Sequence, residues 1–225
     1  KWKQINYNNG PCYSWYENGI KESEYFVKDG KIEGEKKEWY DDGTLKEEFF
    51  YVKGLREGRS TKWYKNGNRE FEGFYRNDSL NGYAKWWYKD GKLEMEGKLI
   101  NDIQDSIWIF YDQVGDTTEK ISYLLGKKNG YYSKYKKIPS EGIYLWSKEL
   151  FAGDKKEGTA YIYYPDGKIQ QTISYSGGRK EGLSREYDKN GQIITLYEYN
   201  NDFLISRERI NRTDVKDLKQ GGWKD

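Results

Sequence analysis

Apolar and polar positions along this chain return on a 24-residue period. With the small residue ahead of each alternating stretch taken as the unit start, the starts fall at Gly10, Gly34, Gly58, Gly82, Ser106, Gly130, Gly158, Gly182 and Ser206. They lie 24 apart except for 28 between Gly130 and Gly158. Five residues on stands an aromatic: Trp15, Trp39, Trp63, Trp87, Tyr111, Tyr135, Tyr163 and Tyr187. Nine residues on stands Gly19, Gly43, Gly67, Gly91, Gly115, Gly167 and Gly191. Near the unit's end comes Gly or Asp: Gly30, Gly54, Asp78, Asp102, Gly126, Asp154, Gly178 and Asp202. A unit this short, with turn residues near both ends, has no room for two helices. It predicts strand, turn, strand, turn, repeated.

The first turn can be typed from its chemistry. Pro165-Asp166-Gly167 puts Pro where φ near −65° is wanted and Gly where φ is positive, which is a type I turn closed by a left-handed Gly. Asn18-Gly19, Asp42-Gly43 and Asn66-Gly67 fit the same three-residue loop. That loop pairs Trp15 with Lys21, Trp39 with Leu45 and Trp87 with Leu93. Counting alternate residues outward predicts one face holding the Trp column with Leu45, Phe49 and Tyr51. Leu93, Met95 and Leu99 extend that face, as do Ile169, Ile173, Tyr175, Ile193, Tyr197 and Tyr199. The opposite face is expected to hold Tyr16, Tyr40, Tyr64 and Tyr88 with Phe26, Phe50 and Phe74.

Composition supports a thin β structure rather than a thick aliphatic core. Of 225 residues, 18% are aromatic, with 23 Tyr and 9 Trp, while the broad hydrophobic count reaches only 35%. Aromatics suit half-buried pleated surfaces, and disordered chains lack them. Basic and acidic residues are interleaved at a formal charge of +2, which speaks against a dedicated nucleic-acid binder. No apolar run approaches membrane-spanning length. His is absent and Cys12 is the only cysteine, so neither an intrachain disulfide nor a His-activated thiol is available. Cys12 is expected to be buried and inert. The only Met is Met95 and the chain begins at Lys1. This leans toward an exported or surface-anchored protein with its leader removed; a trimmed cytoplasmic protein is the alternative.

Gly34 to Gly58 carries Trp39-Tyr40, Asp42-Gly43, Leu45, Glu48, Tyr51, Gly54 and Gly58. In these residues the chain resembles the MORN repeat, in its bacterial variant, over roughly residues 1–210. The resemblance implies an all-β fold: an elongated single-layer antiparallel sheet of about eight stacked 24-residue β-hairpin repeats. It implies a non-enzymatic adaptor, or an antitoxin- or immunity-like partner, for such bacterial proteins often carry antitoxin labels. Binding of glycans or lipid head groups at a surface is the alternative. The array is expected over 1–210, with an irregular unit at 131–157 where the sheet bends or is interrupted. Residues 211–225 form a cap or tail, including a short helix over Thr213–Gln220.

Two columns are candidates for binding. Glu24, Glu48, Glu72 and Glu96 form an acidic strip, too widely spaced for neighbours to share one cation. The simpler reading is a solvated face on which Lys36, Lys37, Lys62 and Lys85 interleave. The second column is Tyr16, Tyr40, Tyr64 and Tyr88 with Phe26, Phe50 and Phe74, read either as cross-strand packing or as an aromatic ladder. No catalytic residue, metal ligand or cofactor is expected. A protein partner is expected, with homodimerisation as a further option and no nucleic acid. Membrane association would come only through a leader preceding Lys1 or through lipid head groups.

Overall fold

The computed structural model describes residues 2–5, 7–213 and 219–220, and the chain falls into two compact units, Lys1–Asp116 and Thr117–Asp225. Among the described residues there is no helix. Twenty-two strands take part in open antiparallel sheet, and a further pair, Arg212–Thr213 and Lys219–Gln220, bond only to each other. Within each unit, strands pair with their neighbours in sequence: Lys31–Trp39, for example, pairs with Lys21–Lys28 on one side and Leu45–Val52 on the other. The expected hairpin-repeat architecture is therefore the observed one.

Two turn types alternate. At the first, Tyr16 N donates to the Ile20 carbonyl (2.8 Å) and Gly19 N to the Tyr16 carbonyl (3.0 Å), with Gly19 at φ +83°. This is the three-residue loop that Pro165-Asp166-Gly167 requires, and it yields the expected pairs Trp15–Lys21, Trp39–Leu45 and Trp87–Leu93. The second turn has two central residues, both at positive φ, as in Asn77 (49°) and Asp78 (68°). That is type I′, whose twist matches the strands it joins. The turns are stitched to one another: Asp78 Oδ1 accepts from Arg56 N (2.8 Å), and Asp102 Oδ1 from Leu80 N (2.7 Å). Glu33 and Glu57 accept from Lys53 N and Asn77 N (2.7 and 3.0 Å).

Bulges decide which side chain faces which way, and they overturn the face assignment expected from alternation. Trp39 pairs with Leu45, but Glu38 pairs with Glu47, so Lys46 is an extra residue. The same shift lies between Ser14 and Trp15, Lys62 and Trp63, and Trp86 and Trp87. One extra residue reverses every side chain beyond it. Phe49, paired with Lys36, thus lies opposite Trp39 rather than beside it. The Trp column instead shares a face with Glu24, Glu48, Glu72 and Glu96 and, two residues on, with Phe26, Phe50 and Phe74. Tyr111, the fifth member of the Trp column, confirms this by donating its hydroxyl to Glu96 Oε1 (2.9 Å).

Between repeats there is a second bulge. Glu24 pairs with Lys37 and Phe26 with Glu33, leaving three residues opposite one. The start residue Gly34 sits in this bulge at φ +79°. The tightest packing in the first unit lies on the face away from Trp39. Phe49 meets Tyr75 at a ring separation of 5.8 Å, Phe71 meets Trp86 at 5.3 Å, and Trp86 meets Trp108 at 5.6 Å. Phe49, Phe71 and Trp108 are buried. Trp108 lies flat over Gly97, where a Cβ would come within 2.3 Å of the indole. Its Nε1 donates to the Lys98 carbonyl (3.1 Å). Cys12 is fully buried.

The irregular unit does not interrupt its sheet. Its four extra residues lengthen the hairpin to Lys127–Ile138 and Gly142–Ala152, paired from Gly130–Phe151 to Ile138–Gly142. The insertion is absorbed because each arm grows equally and Pro139-Ser140-Glu141 closes the end. The helix expected over Thr213–Gln220 falls mostly outside the described residues. Where it is described, at Thr213 and at Lys219–Gln220, the backbone is strand, because the two ends hydrogen-bond to each other.

Gly97→Ala should lower stability by about 1–3 kcal/mol, the usual cost of an overpacked site. Urea denaturation of the wild type and the variant measures it; an unchanged midpoint would show that Trp108 is not held against this glycine.

Candidate functional site

The direct cross-strand partners align into a single row of side chains in each unit. In the first unit it runs Tyr13, Glu24, Lys37, Glu48, Thr61, Glu72, Lys85, Glu96. Direct partners share a face, so this row is continuous. Each glutamate in it has a cation. Glu24 holds Lys21 (2.7 Å), Glu48 holds Lys37 (3.0 Å) and Glu96 holds Lys85 (3.1 Å). Glu72 sits between Arg59 (2.8 Å) and Arg69 (3.0 Å). Lys37 also reaches Glu35 (2.8 Å), and that hydrogen bond holds the Glu35 carboxyl below its usual range. Lys36 and Lys62, also expected here, bond instead to Glu38 and Glu47 on the opposite face.

Beside the row stand Phe26, Phe50 and Phe74, exposed at 45%, 47% and 52%. The face therefore joins matched charges to a line of open aromatic rings. At its middle, an open groove of about 500 Å³ is walled by Glu35, Glu48, Phe50, Arg59, Trp63 and Arg69. Trp63 lines it from the same face as Thr61, two residues earlier in its strand.

The Tyr column lies elsewhere. The hydroxyls of Tyr16, Tyr40, Tyr64 and Tyr88 donate to the carbonyls of Trp39, Trp63, Trp87 and Tyr111 at 2.7–2.9 Å. Tyr164 does the same to Tyr187 (2.8 Å). Each ring thus ties one hairpin mouth to the next. The sequence-derived candidates divide in two: Glu24, Glu48, Glu72, Glu96, Phe26, Phe50 and Phe74 share a face, and the four tyrosines do not join them. The alternation count could not show this, for the register shift that separates them leaves no mark in the period.

In the second unit the row reads Lys120, Ser133, Lys148, Tyr161, Thr172, Arg185, Leu196 and Glu208. The repeat position held by glutamate in the first unit is Lys120, Lys148, Thr172 and Leu196 here. Among the described residues, no group of three or more His, Cys, Asp or Glu side chains could hold a metal ion. No described helix is long and apolar enough to cross a membrane.

The geometry defines a class, a hairpin-repeat sheet presenting rows of side chains. Five stretches of the chain, residues 32–53, 56–77, 80–101, 156–176 and 180–201, match the family model described as MORN repeat variant. The two turn types and the positive-φ start glycine recur in all five. Among curated proteins none matches the chain. Of solved structures, the chain is similar to one titled "Crystal Structure of TcdB2-TccC3", at 10% identity and a TM-score of 0.19, covering 87% of this chain. It is also similar to "Crystal Structure of TcdB2-TccC3-Cdc42", at 9% identity and a TM-score of 0.19, covering 90%. The chain spans 14% of the length of either matched chain.

The tyrosines also make a pH signature. Burial first, then the hydrogen bond to Glu96 and its charge, push Tyr111 up to about 12. Burial likewise raises Tyr40, Tyr64, Tyr88 and Tyr132. The folded state therefore keeps a proton that the unfolded chain releases near pH 10. This contribution is complete below about pH 10 and is lost as pH climbs toward about 12. The melting temperature should fall across that window, and Tyr111→Phe should make the fall shallower; a parallel curve would contradict the Tyr111–Glu96 bond. Separately, Tyr64→Phe should cost about 1 kcal/mol in urea unfolding at neutral pH, the scale of one hydrogen bond.

Proposed function

We propose that this chain is a non-enzymatic scaffold that binds another protein through the face carrying the Glu row and the open phenylalanines. The observation behind this reading is the repetition of Phe26, Phe50 and Phe74 at about half exposure beside carboxylates already fixed by cations. Open aromatic rings set among polar groups resemble the composition of protein interfaces. An antitoxin- or immunity-type role is one form of this reading. A glycan or lipid head group in the groove beside Trp63 is the second reading, favoured by its indole between Arg59, Arg69 and Glu48.

A photo-crosslinking residue placed at Phe50 or Phe74, with Lys62 on the opposite face as control, tests it in host extract. One host protein should be captured from both phenylalanine positions and not from Lys62. The purified complex should weaken about tenfold or more in a Phe50→Ser/Phe74→Ser variant, the effect of losing a central aromatic contact. Equal capture from Lys62, or none from any position, would sink the proposal. Glycan-array or lipid binding lost in Trp63→Ala would transfer the function to the groove.

A further inference from the structure

The two units carry opposite formal charge. Lys1–Asp116 has 19 basic and 22 acidic residues, a net of −3, and Thr117–Asp225 has 20 basic and 15 acidic, a net of +5. The contrast reaches the row itself. Where the first unit repeats glutamates matched to cations, the second places Lys120 and Lys148 on either side of Ser133. Neither lysine has an ion pair among the described residues. Each instead lies over a tyrosine on its own face: Lys148 over Tyr131 at 4.0 Å and Lys120 over Tyr135 at 5.8 Å.

The surroundings extend the same surface. Tyr161 is the direct cross-strand partner of Lys148 and stacks on Tyr163, with ring centroids 6.2 Å apart at 19°. Tyr131 is 52% exposed. Next to Tyr161 in the row is Thr172, whose buried hydroxyl has no hydrogen-bond partner in the structure. An ammonium over a ring keeps its charge available outward, because the ring face attracts the cation without neutralising it. Lysine's compact charge on a flexible stem can meet carboxylates at varied angles, which a bidentate arginine fork does less well.

We infer that the second unit's row, with Lys120 and Lys148 among Tyr131, Tyr135 and Tyr161, docks an acidic segment of a protein partner. The inference rests on the scaffold reading above and adds the chemistry of what is bound. Carboxylates of the partner supply the counter-charge to Lys120 and Lys148, and its aliphatic stems lie on the tyrosine rings. The same positions in the first unit need no such partner, since Glu48, Glu72 and Glu96 are already matched by cations of the chain itself.

The probe is poly-L-glutamate, titrated into the full chain by calorimetry at 20 and 300 mM salt. Binding should be seen at low salt and weaken severalfold at high salt, as expected for exposed charges. A Lys120→Glu/Lys148→Glu variant should lose at least tenfold in affinity. A Lys127→Glu/Lys189→Glu variant, with the same charge change at exposed sites outside the row, should lose less than threefold. A Lys120→Gln/Lys148→Gln variant with a wild-type melting temperature separates loss of docking from loss of fold. No binding at 20 mM salt, or equal losses in the two Glu doubles, would overturn the inference. Tighter Lys120- and Lys148-dependent binding of heparin or of phosphatidylserine vesicles would overturn it in favour of a glycan or a membrane. Failure here with host-protein capture intact at Phe50 and Phe74 removes only the acidic-segment inference; poly-L-glutamate binding without any captured protein removes only the scaffold reading.

Discussion

With no helix among the described residues to cover them, the strands must bury their side chains largely against one another. That constraint accounts for much of this chain. Lateral neighbours in a sheet are several ångströms apart, so only large rings bridge from strand to strand and exclude water between them. Phe49 to Tyr75 and Phe71 to Trp86 to Trp108 form such bridges at 5.3–5.8 Å. Rings cover more of the sheet's surface than aliphatic side chains do, in keeping with a chain that is 18% aromatic yet only 35% hydrophobic by the broad count. The same need explains Gly97: a ring that lies flat on the sheet requires a position without a side chain beneath it.

Backbone polar groups face a matching constraint at the turns, and the structure answers it by linking repeats rather than closing each one alone. Asp78 and Asp102 accept from amides 22 residues earlier, and Tyr16, Tyr40 and Tyr64 donate to carbonyls 23 residues later. Each repeat therefore completes the hydrogen bonding of its neighbour. Nearest-neighbour coupling of this kind makes a repeat array cooperative over short distances and lets one repeat vary without unravelling the rest. The lengthened hairpin Lys127–Ala152 shows that tolerance: four residues enter and the strand pairing continues from Gly130–Phe151 to the tip.

The fold and the first turn's type were legible because glycine and proline report backbone conformation directly. Pro165 with Gly167 predicts the three-residue loop, and the observed pairs Trp15–Lys21 and Trp39–Leu45 follow from it. The faces were not legible. A bulge adds one residue without changing the 24-residue period, so Lys46 reverses Phe49 relative to Trp39 with no trace in the spacing. Charges gave no hint of it: without the bulge Glu38 would meet Lys46 and Lys37 would meet Glu47, pairs just as well matched as the observed Lys37–Glu48. The candidate site was accordingly half legible. The Glu and Phe columns were found in the sequence; their union with Trp63, and the separation of the tyrosine hydroxyls into carbonyl ties, needed the coordinates.

Repetition also sorts structural from adaptable positions. The start glycine, the turn residues and the tyrosine that binds the next carbonyl are tied to backbone geometry, and changing them alters the sheet. Row positions are tied to nothing but their lateral neighbours. A glutamate there needs a cation beside it, and the first unit supplies Lys21, Lys37, Lys85, Arg59 and Arg69. When that position becomes Lys120 or Lys148, the backbone is unchanged, yet the nearest matching group is a ring rather than a carboxylate. A change of charge sign at constant geometry costs the fold little, because exposed pairs contribute under about 1 kcal/mol. It changes what the surface attracts far more, since unmatched charge acts on whatever approaches. Row positions are therefore where such a sheet can change its surface charge without changing its backbone.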